Sequence, residues 1–494
     1  MLKNQTLNKE RLYTVILWIT CGFVALQPIF DLLSFLHIRG HISVGISTYG
    51  KPLIIGLINI ALLLVYKKHI WRCAMTYGSY LVLTIVHVLL MNGMLVETSV
   101  ILHEIRFMIN FLYLLICYHN FRILYDEAPQ KDVFAGWIKK TLAATFALYI
   151  LLFLVAVITG TSGRTYEYSD ELKHGYKGWL DSGQIFGHAL CICLPFLICY
   201  LLNNKVKNQF LRILCKLAIL FPVLVLCLIG TKVTFYIPLL VLAAQIVLEL
   251  FFAIKGKNLS HLINAAICVV CIAACLVAYP VTPVKHNTDI NNSVLSSELG
   301  SEDLADLVEK EKDKHKLNLP EKDDNAQLND NLSEEEKNAY WTYSALEVLE
   351  QKYVDGELHP ADMRKRQLYF NLEKYKQADL KYKIFGLGYL NQGDMAIERD
   401  VLCVVFSFGV LCFIIVLLRP MILWFRSAFI ILRRLFKMDI MTLCLFEGFS
   451  MFFFISWYAG YTFIYTNFSI FLAIIMCLLT YSIDKLNAEP IKQD

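Results

Sequence analysis

Three charged side chains, Glu398, Arg399 and Asp400, stand directly before the apolar run that begins at Val401. A carboxylate placed there, close to Gly386 and Gly388, could take the proton from an attacking hydroxyl. Acidic residues at a helix N-terminus also complement its dipole, so the set has a structural reading as well. Upstream, Arg364 and Arg366 offer guanidinium groups, either for an anion or as the solvated face of a helix. A second group occupies residues 161–182, where Arg164, Lys173 and Lys177 alternate with Tyr166, Tyr168 and Trp179. The arginine fork and the compact lysine charge suit a diphosphate. The rings suit a sugar face, or equally the aromatic belt of a membrane boundary. Lys232 stands alone in the turn Gly230-Thr231-Lys232, where it either snorkels to the interface or meets an anionic substrate.

The elements that must position these residues are helices in a membrane. Of 494 residues, 57% are apolar and 18% charged, which excludes an ordinary soluble domain. Apolar stretches of spanning length fall at 12–36, 48–66, 73–93, 103–122, 139–160, 183–203, 209–229, 233–254, 261–280, 401–418, 438–457 and 460–482. The expected fold is therefore an all-α polytopic membrane protein of about 12 transmembrane helices, nine before residue 281 and three after residue 400. Basic sets such as Lys67/Lys68/Arg72, Lys139/Lys140 and Arg419/Arg426/Arg433/Arg434 fall in alternate connections. All of them face the cytoplasm if both termini do, which sends residues 161–182, Lys232 and residues 281–400 to the outside. The first run is too long for a signal-peptide core and is expected to remain as a span.

The outward block 281–400 carries about 25 acidic and 16 basic side chains, leaving an excess of bases elsewhere. That balance speaks for topology and against nucleic-acid binding. Residues 285–332 are polar and poor in aromatics, and a mobile stretch is expected. From Ser333 a capping box with Glu336 and apolar residues at helical spacing predict a helix, and a second follows Pro360, so 333–395 is expected to be helical. Residues 419–437 read as a cytoplasmic interfacial amphipathic helix. Asp31, deep in the first span, needs a cationic or hydroxyl partner. All 15 cysteines lie in apolar stretches, so neither a disulfide framework nor a cysteine metal site is expected. No metal-ligand cluster, phosphate-binding glycine loop or nucleophile elbow is present in the sequence.

Taken together, the twelve-span layout, Gly175-Tyr-Lys177-Gly178-Trp179 entering the sixth span, the Gly230–Lys232 turn, and a late outward loop ending in Gly386-Leu-Gly388 with Glu398 and Asp400 resemble the O-antigen ligase / O-antigen polymerase superfamily. The ten-residue interval between Arg164 and Gly175 fits the same resemblance. It implies a bacterial cytoplasmic-membrane enzyme that takes an undecaprenyl-diphosphate-linked oligosaccharide and passes its glycan to another glycan or a lipid-linked acceptor. No cofactor, metal or nucleotide is implied, while membrane lipids and other polysaccharide-assembly proteins are expected partners. Carried over, Lys232 matches the basic turn residue, Arg164 and Lys177 the loop cations, and Arg366 the arginine of the long loop. Trp179, Arg364 and Arg399 join the substrate-binding set. Glu398 and Asp400 stand where lipopolysaccharide ligases carry a histidine, which favours a carboxylate base. Polymerase is the first expectation. A ligase, a lipid-linked oligosaccharide flippase or exporter, and a non-enzymatic sensor are the alternatives.

Overall fold

The computed structural model describes residues 2–41, 46–94, 98–166, 173–204, 206–296, 333–359, 362–389, 395–460, 462 and 465–488. Every expected span falls on a helix. The first is a pair, α1 (Leu2–Ala25) and α2 (Gln27–Ile38), bent by 43° where Pro28 enters. Then follow α3 (Ile46–Val65), α4 (Ile70–Asn92), α5 (Thr98–Asp126) and α6 (Lys131–Ile158). After a two-stranded hairpin, β1 (Gly163–Arg164) and β2 (Tyr176–Gly178), come α7 (Gly183–Leu202), α8 (Gln209–Leu217), α9 (Leu220–Ile229), α10 (Lys232–Gly256) and α11 (Leu259–Ala278). Ten helices among the described residues are long and apolar enough to cross a bilayer, and the bent pair makes eleven. A shorter apolar helix, Tyr49–Val65, lies within α3.

At the centre stand α7 and the last helix, α18 (Thr466–Ala488), the most enclosed of the spans. Small residues make this possible: a Cβ on Gly187 would strike the Thr234 methyl, and one on Gly448 would overlap the Ile192 carbonyl. On the outside, Leu57, Trp71, Val82, Leu89, Ile158, Ile254 and Val270 are exposed, an apolar surface suited to lipid. The cysteines are unbonded thiols, nearly all buried.

The polar block folds onto one end of this bundle. Residues 285–296, the start of the stretch expected to be mobile, instead lie in helix α12 (Pro283–Ser296). Asn287 fixes it there, because its amide donates to the carbonyls of His174 (2.6 Å) and Gly230 (2.9 Å). The rest of the expected mobile stretch, 297–332, lies outside the described residues. Next come α13 (Glu334–Val354), α14 (Met363–Gln377) and the short α15 (Leu380–Phe385). The Ser333/Glu336 capping box is present. Helices α13 and α14 form a hairpin over Ala345, Leu346, Leu349 and Phe370, tied at its open end by Lys337 and Asp379 (3.3 Å).

The loop domain is fastened to the membrane helices by a break in one of them. Helix α16 (Asp400–Arg433) leaves helical geometry at Gly409, whose φ is 84°. The break frees the carbonyls of Phe406 and Ser407, which accept from the amides of Leu387 and Gly388 at 2.9 Å each. Gly386 and Gly409 meet with no room for a side chain on either. From the other side, His87 bonds the Phe385 carbonyl (2.6 Å) and Glu104 (3.0 Å), and Glu104 accepts from the Tyr389 amide (2.8 Å). The Gly-Leu-Gly segment is thus a plug set between α4, α5 and α16.

Where the sequence suggested a segment of its own at 419–437, residues 419–433 are the end of α16, and a single 3-10 turn, Leu435–Lys437, follows. Arginines of α16 are answered by the bundle: Arg426 pairs with Asp484 (2.7 Å), and Arg419 donates to Thr76 (2.8 Å). Ile422, Phe425, Phe429 and Leu432 remain exposed on this last part of the helix. The last helix before α18 is α17 (Ile440–Tyr458). Strong one-sidedness belongs to α8, whose Phe210, Leu211 and Leu214 face outward while Lys216 turns inward to Asn264 (2.6 Å).

Candidate functional site

Arg364 is the meeting point of the loop-domain end. It sits in the first turn of α14, where Asp362 caps the helix by accepting from the Lys365 amide. The guanidinium donates to the Tyr458 carbonyl at 3.2 Å and lies 5.6 Å over the Tyr458 ring. Its Nε stands 3.8 Å from Oε2 of Glu398. It also reaches Tyr166 and the buried His188 electrostatically. Burial pushes the Tyr166 hydroxyl above its ordinary range, and Arg364 pulls it back. Lys173 lies over the Tyr166 ring at 5.7 Å. Four separate segments therefore converge on one guanidinium.

Glu398, Arg399 and Asp400 are held by the α17–α18 turn. Gly460 packs so closely beneath the Glu398 carbonyl that a Cβ would overlap it. Asp400, 1% exposed, accepts from the Thr462 amide (2.6 Å) and from its hydroxyl. The Glu398 amide donates to Gln367 of α14 (3.4 Å), and its side chain keeps 25% exposure. Of the two carboxylates, Glu398 is the one a substrate can reach. Arg366 and Arg399 are half-buried.

The hairpin places its residues differently. Arg164 is exposed on β1, opposite Tyr176. Lys177 is buried on β2; its ammonium donates to the Asp181 carbonyl (3.2 Å) and lies 6.0 Å from the Phe35 ring. Trp179 donates to Thr161 (2.9 Å) and, with Leu32, Phe35 and Arg39, lines a largely apolar cavity of about 430 Å³ beside α2. Lys232 is exposed at the first turn of α10, whose N-cap is Thr231. Its turn is locked to the hairpin by Asn287 and by Thr165, which donates to the Ile229 carbonyl (2.8 Å). Among the described residues, no hydrogen bond or ion pair joins Lys232 to Arg366 or Glu398.

Between these two groups lies a buried polar cluster. Asp31 receives Lys51 (2.5 Å), Tyr149 (2.6 Å) and Asn467 (2.8 Å), so it has both the cation and the hydroxyl that its depth required. Burial, reinforced by Asp31, raises the Asp181 carboxyl above its ordinary range, against the pull of Lys177 and Lys51. Tyr465 connects onward, within electrostatic reach of Asp181, Asp400 and Arg106. Polar groups thus run from Lys177 to Glu398 across the top of the bundle.

Sequence reasoning missed His188, Tyr458, Gly460 and Thr462. A histidine inside an otherwise apolar span was a readable signal; the α17–α18 turn gave none. Among the described residues, no group of three or more His, Cys, Asp or Glu is placed to hold a metal ion. A comparison with curated proteins returns no match. The family described as O-antigen ligase like membrane protein matches residues 10–486. With a bundle of spanning helices and a match over nearly its whole length, the chain belongs to the O-antigen ligase-like membrane protein family, which is consistent with a membrane polysaccharide ligase or polymerase.

Proposed function

We propose that the protein is a glycosyltransferase of the bacterial cytoplasmic membrane that extends a surface polysaccharide by transfer from an undecaprenyl-diphosphate-linked oligosaccharide. In this reading the end opposite the loop domain and both termini are cytoplasmic and the site lies outside, which the basic residues gathered at that end support. The observation that carries the reading is the placement of Glu398 beside Arg364, at the mouth of a polar track that ends in Lys177 and an apolar cavity.

In this reading the isoprenoid end of the donor enters beside Trp179 and Phe35, and the diphosphate lies toward Arg164, Lys177 and Lys232. Arg364, Arg366 and Arg399 complete the field near the reacting carbon. The acceptor hydroxyl attacks the anomeric carbon, its proton passes to Glu398, and the bond to the diphosphate oxygen breaks with its electron pair. Cations preset around the departing diphosphate stabilise its developing charge. Asp400 acts through Thr462 by holding the strand that carries Glu398. The chemistry asks for nothing beyond these side chains and two substrates held in line.

The test is transfer by purified protein in lipid discs from a labelled lipid-linked repeat unit. Products of increasing length from donor alone indicate polymerisation. Product only when a second glycan or lipid acceptor is supplied indicates ligation. No product from either, with protein shown to be folded, defeats the proposal.

A further inference from the structure

At the end of the bundle opposite the loop domain, four arginines from three helices line one cavity of about 260 Å³: Arg72 of α4, Arg122 of α5, and Arg419 and Arg426 of α16, together with Tyr118, Thr480 and the apolar Ile422 and Leu423. Like charges this close repel, and they persist only where something offsets them. The surrounding acids offset two of the four. Arg122 pairs with Asp126 (3.0 Å) in its own helix, and Arg426 with Asp484 (2.7 Å). Arg72 and Arg419 make no ion pair among the described residues.

Arg419 is held by neutral acceptors. The Nδ1 of His119 bonds the Leu115 carbonyl at 2.9 Å and must be its donor there. The Nε2 then carries a lone pair, which accepts from Arg419 at 2.6 Å, while Thr76 accepts from the other nitrogen at 2.8 Å. This arrangement fixes the guanidinium without cancelling its charge. Two uncancelled positive charges remain at an open cavity beside an aromatic hydroxyl and a threonine.

Depth says what can fill it. Arg419 lies nineteen residues along α16 from Asp400, and Arg122 eighteen along α5 from Glu104. At about 1.5 Å per residue both are at most about 27–29 Å from the loop-domain interface, close to the thickness of the hydrocarbon core of about 30 Å. The arginines therefore stand at the headgroup level of the opposite leaflet, and Ile422, half-exposed on the cavity rim, adjoins the lipid-facing surface. We propose that the cavity is a phosphate-binding site that takes the headgroup of an anionic phospholipid from that leaflet. The assignment is independent of the transfer chemistry at the other end.

The experiment compares wild type, the double variant Arg72→Gln/Arg419→Gln and the control Arg433→Gln, whose arginine is exposed on the same helix outside the cavity. Each is placed in lipid discs of phosphatidylcholine alone, of phosphatidylcholine with phosphatidylglycerol, and of phosphatidylcholine with inorganic pyrophosphate in solution. Melting temperature and lipid retained on mild detergent extraction are read. Phosphatidylglycerol should raise the melting temperature of wild type and the control, and the double variant should lose at least half of that rise and its retained anionic lipid. Pyrophosphate should give little of the effect; an equal effect would mean a soluble phosphate compound, not lipid, and would overturn the headgroup assignment. No rise in wild type, or the same rise in the double variant, would overturn the site itself.

Discussion

Arg364 and Glu398 stand 3.8 Å apart, and the same guanidinium donates to the Tyr458 carbonyl. The pair is about a third exposed, so as an ion pair it adds at most about 1 kcal/mol to stability. Its value must lie elsewhere. Arg364→Gln is expected to lower kcat by about 10²-fold or more while leaving the melting temperature within a degree or two of wild type. Steady-state transfer assays beside thermal unfolding check both halves. An equal loss of activity and stability would make Arg364 a packing residue.

The Asp31–Lys51 pair makes the opposite case. Both groups are nearly fully buried, so removing one leaves an uncompensated charge. Lys51→Met alone is expected to destabilise by about 3–5 kcal/mol, and the double variant Asp31→Asn/Lys51→Met by clearly less. A double-mutant cycle on unfolding in detergent measures this. Additive single effects would mean that the two do not act together.

Docking of the loop domain rests on Gly386 and Gly409, since a Cβ on either overlaps backbone of the other segment. Gly409→Ala is expected to free residues 385–389 from α16, raising protease cleavage in the loop domain at least several-fold. The transmembrane helices should stay assembled. Limited proteolysis with gel filtration reads the outcome.

Lys374 is buried in α14 beside Phe370, and burial holds its ammonium down at about 7 from 10.5. Between those two values the folded domain binds fewer protons than the unfolded chain. Stability of the loop domain therefore rises with pH across that window, and below it the penalty is complete. Lys374→Met is expected to stabilise the domain near pH 7 by an amount on the order of a few kcal/mol and to flatten this slope. Hydrogen exchange of α13 and α14 at pH 7 and pH 9 tests it.

Elements whose causes are local were legible in the sequence. Each apolar stretch became a helix because spanning length is a property of the stretch itself, and the Ser333 box formed because its two partners are three residues apart. Asp31 announced its need for partners by its depth alone. The break at Gly409 was not legible, because it is stabilised by amides more than twenty residues upstream, Leu387 and Gly388. The partners of Arg419 and Arg426 in the segment read as an amphipathic helix, His119, Thr76 and Asp484, were likewise not legible, because they come from distant helices. In the candidate site, residue types pointed to Arg364 and Glu398, but their convergence with Tyr166, His188 and the turn after Tyr458 depends on four segments no local pattern connects.

Transfer from a labelled lipid-diphosphate-linked repeat unit by purified wild type and Glu398→Gln, in the same lipid discs, bears most directly on the central claim. Wild type should form product, and the variant, equally folded and still binding donor, should be slower by about 10²–10⁴-fold. Undiminished turnover in Glu398→Gln would contradict the account.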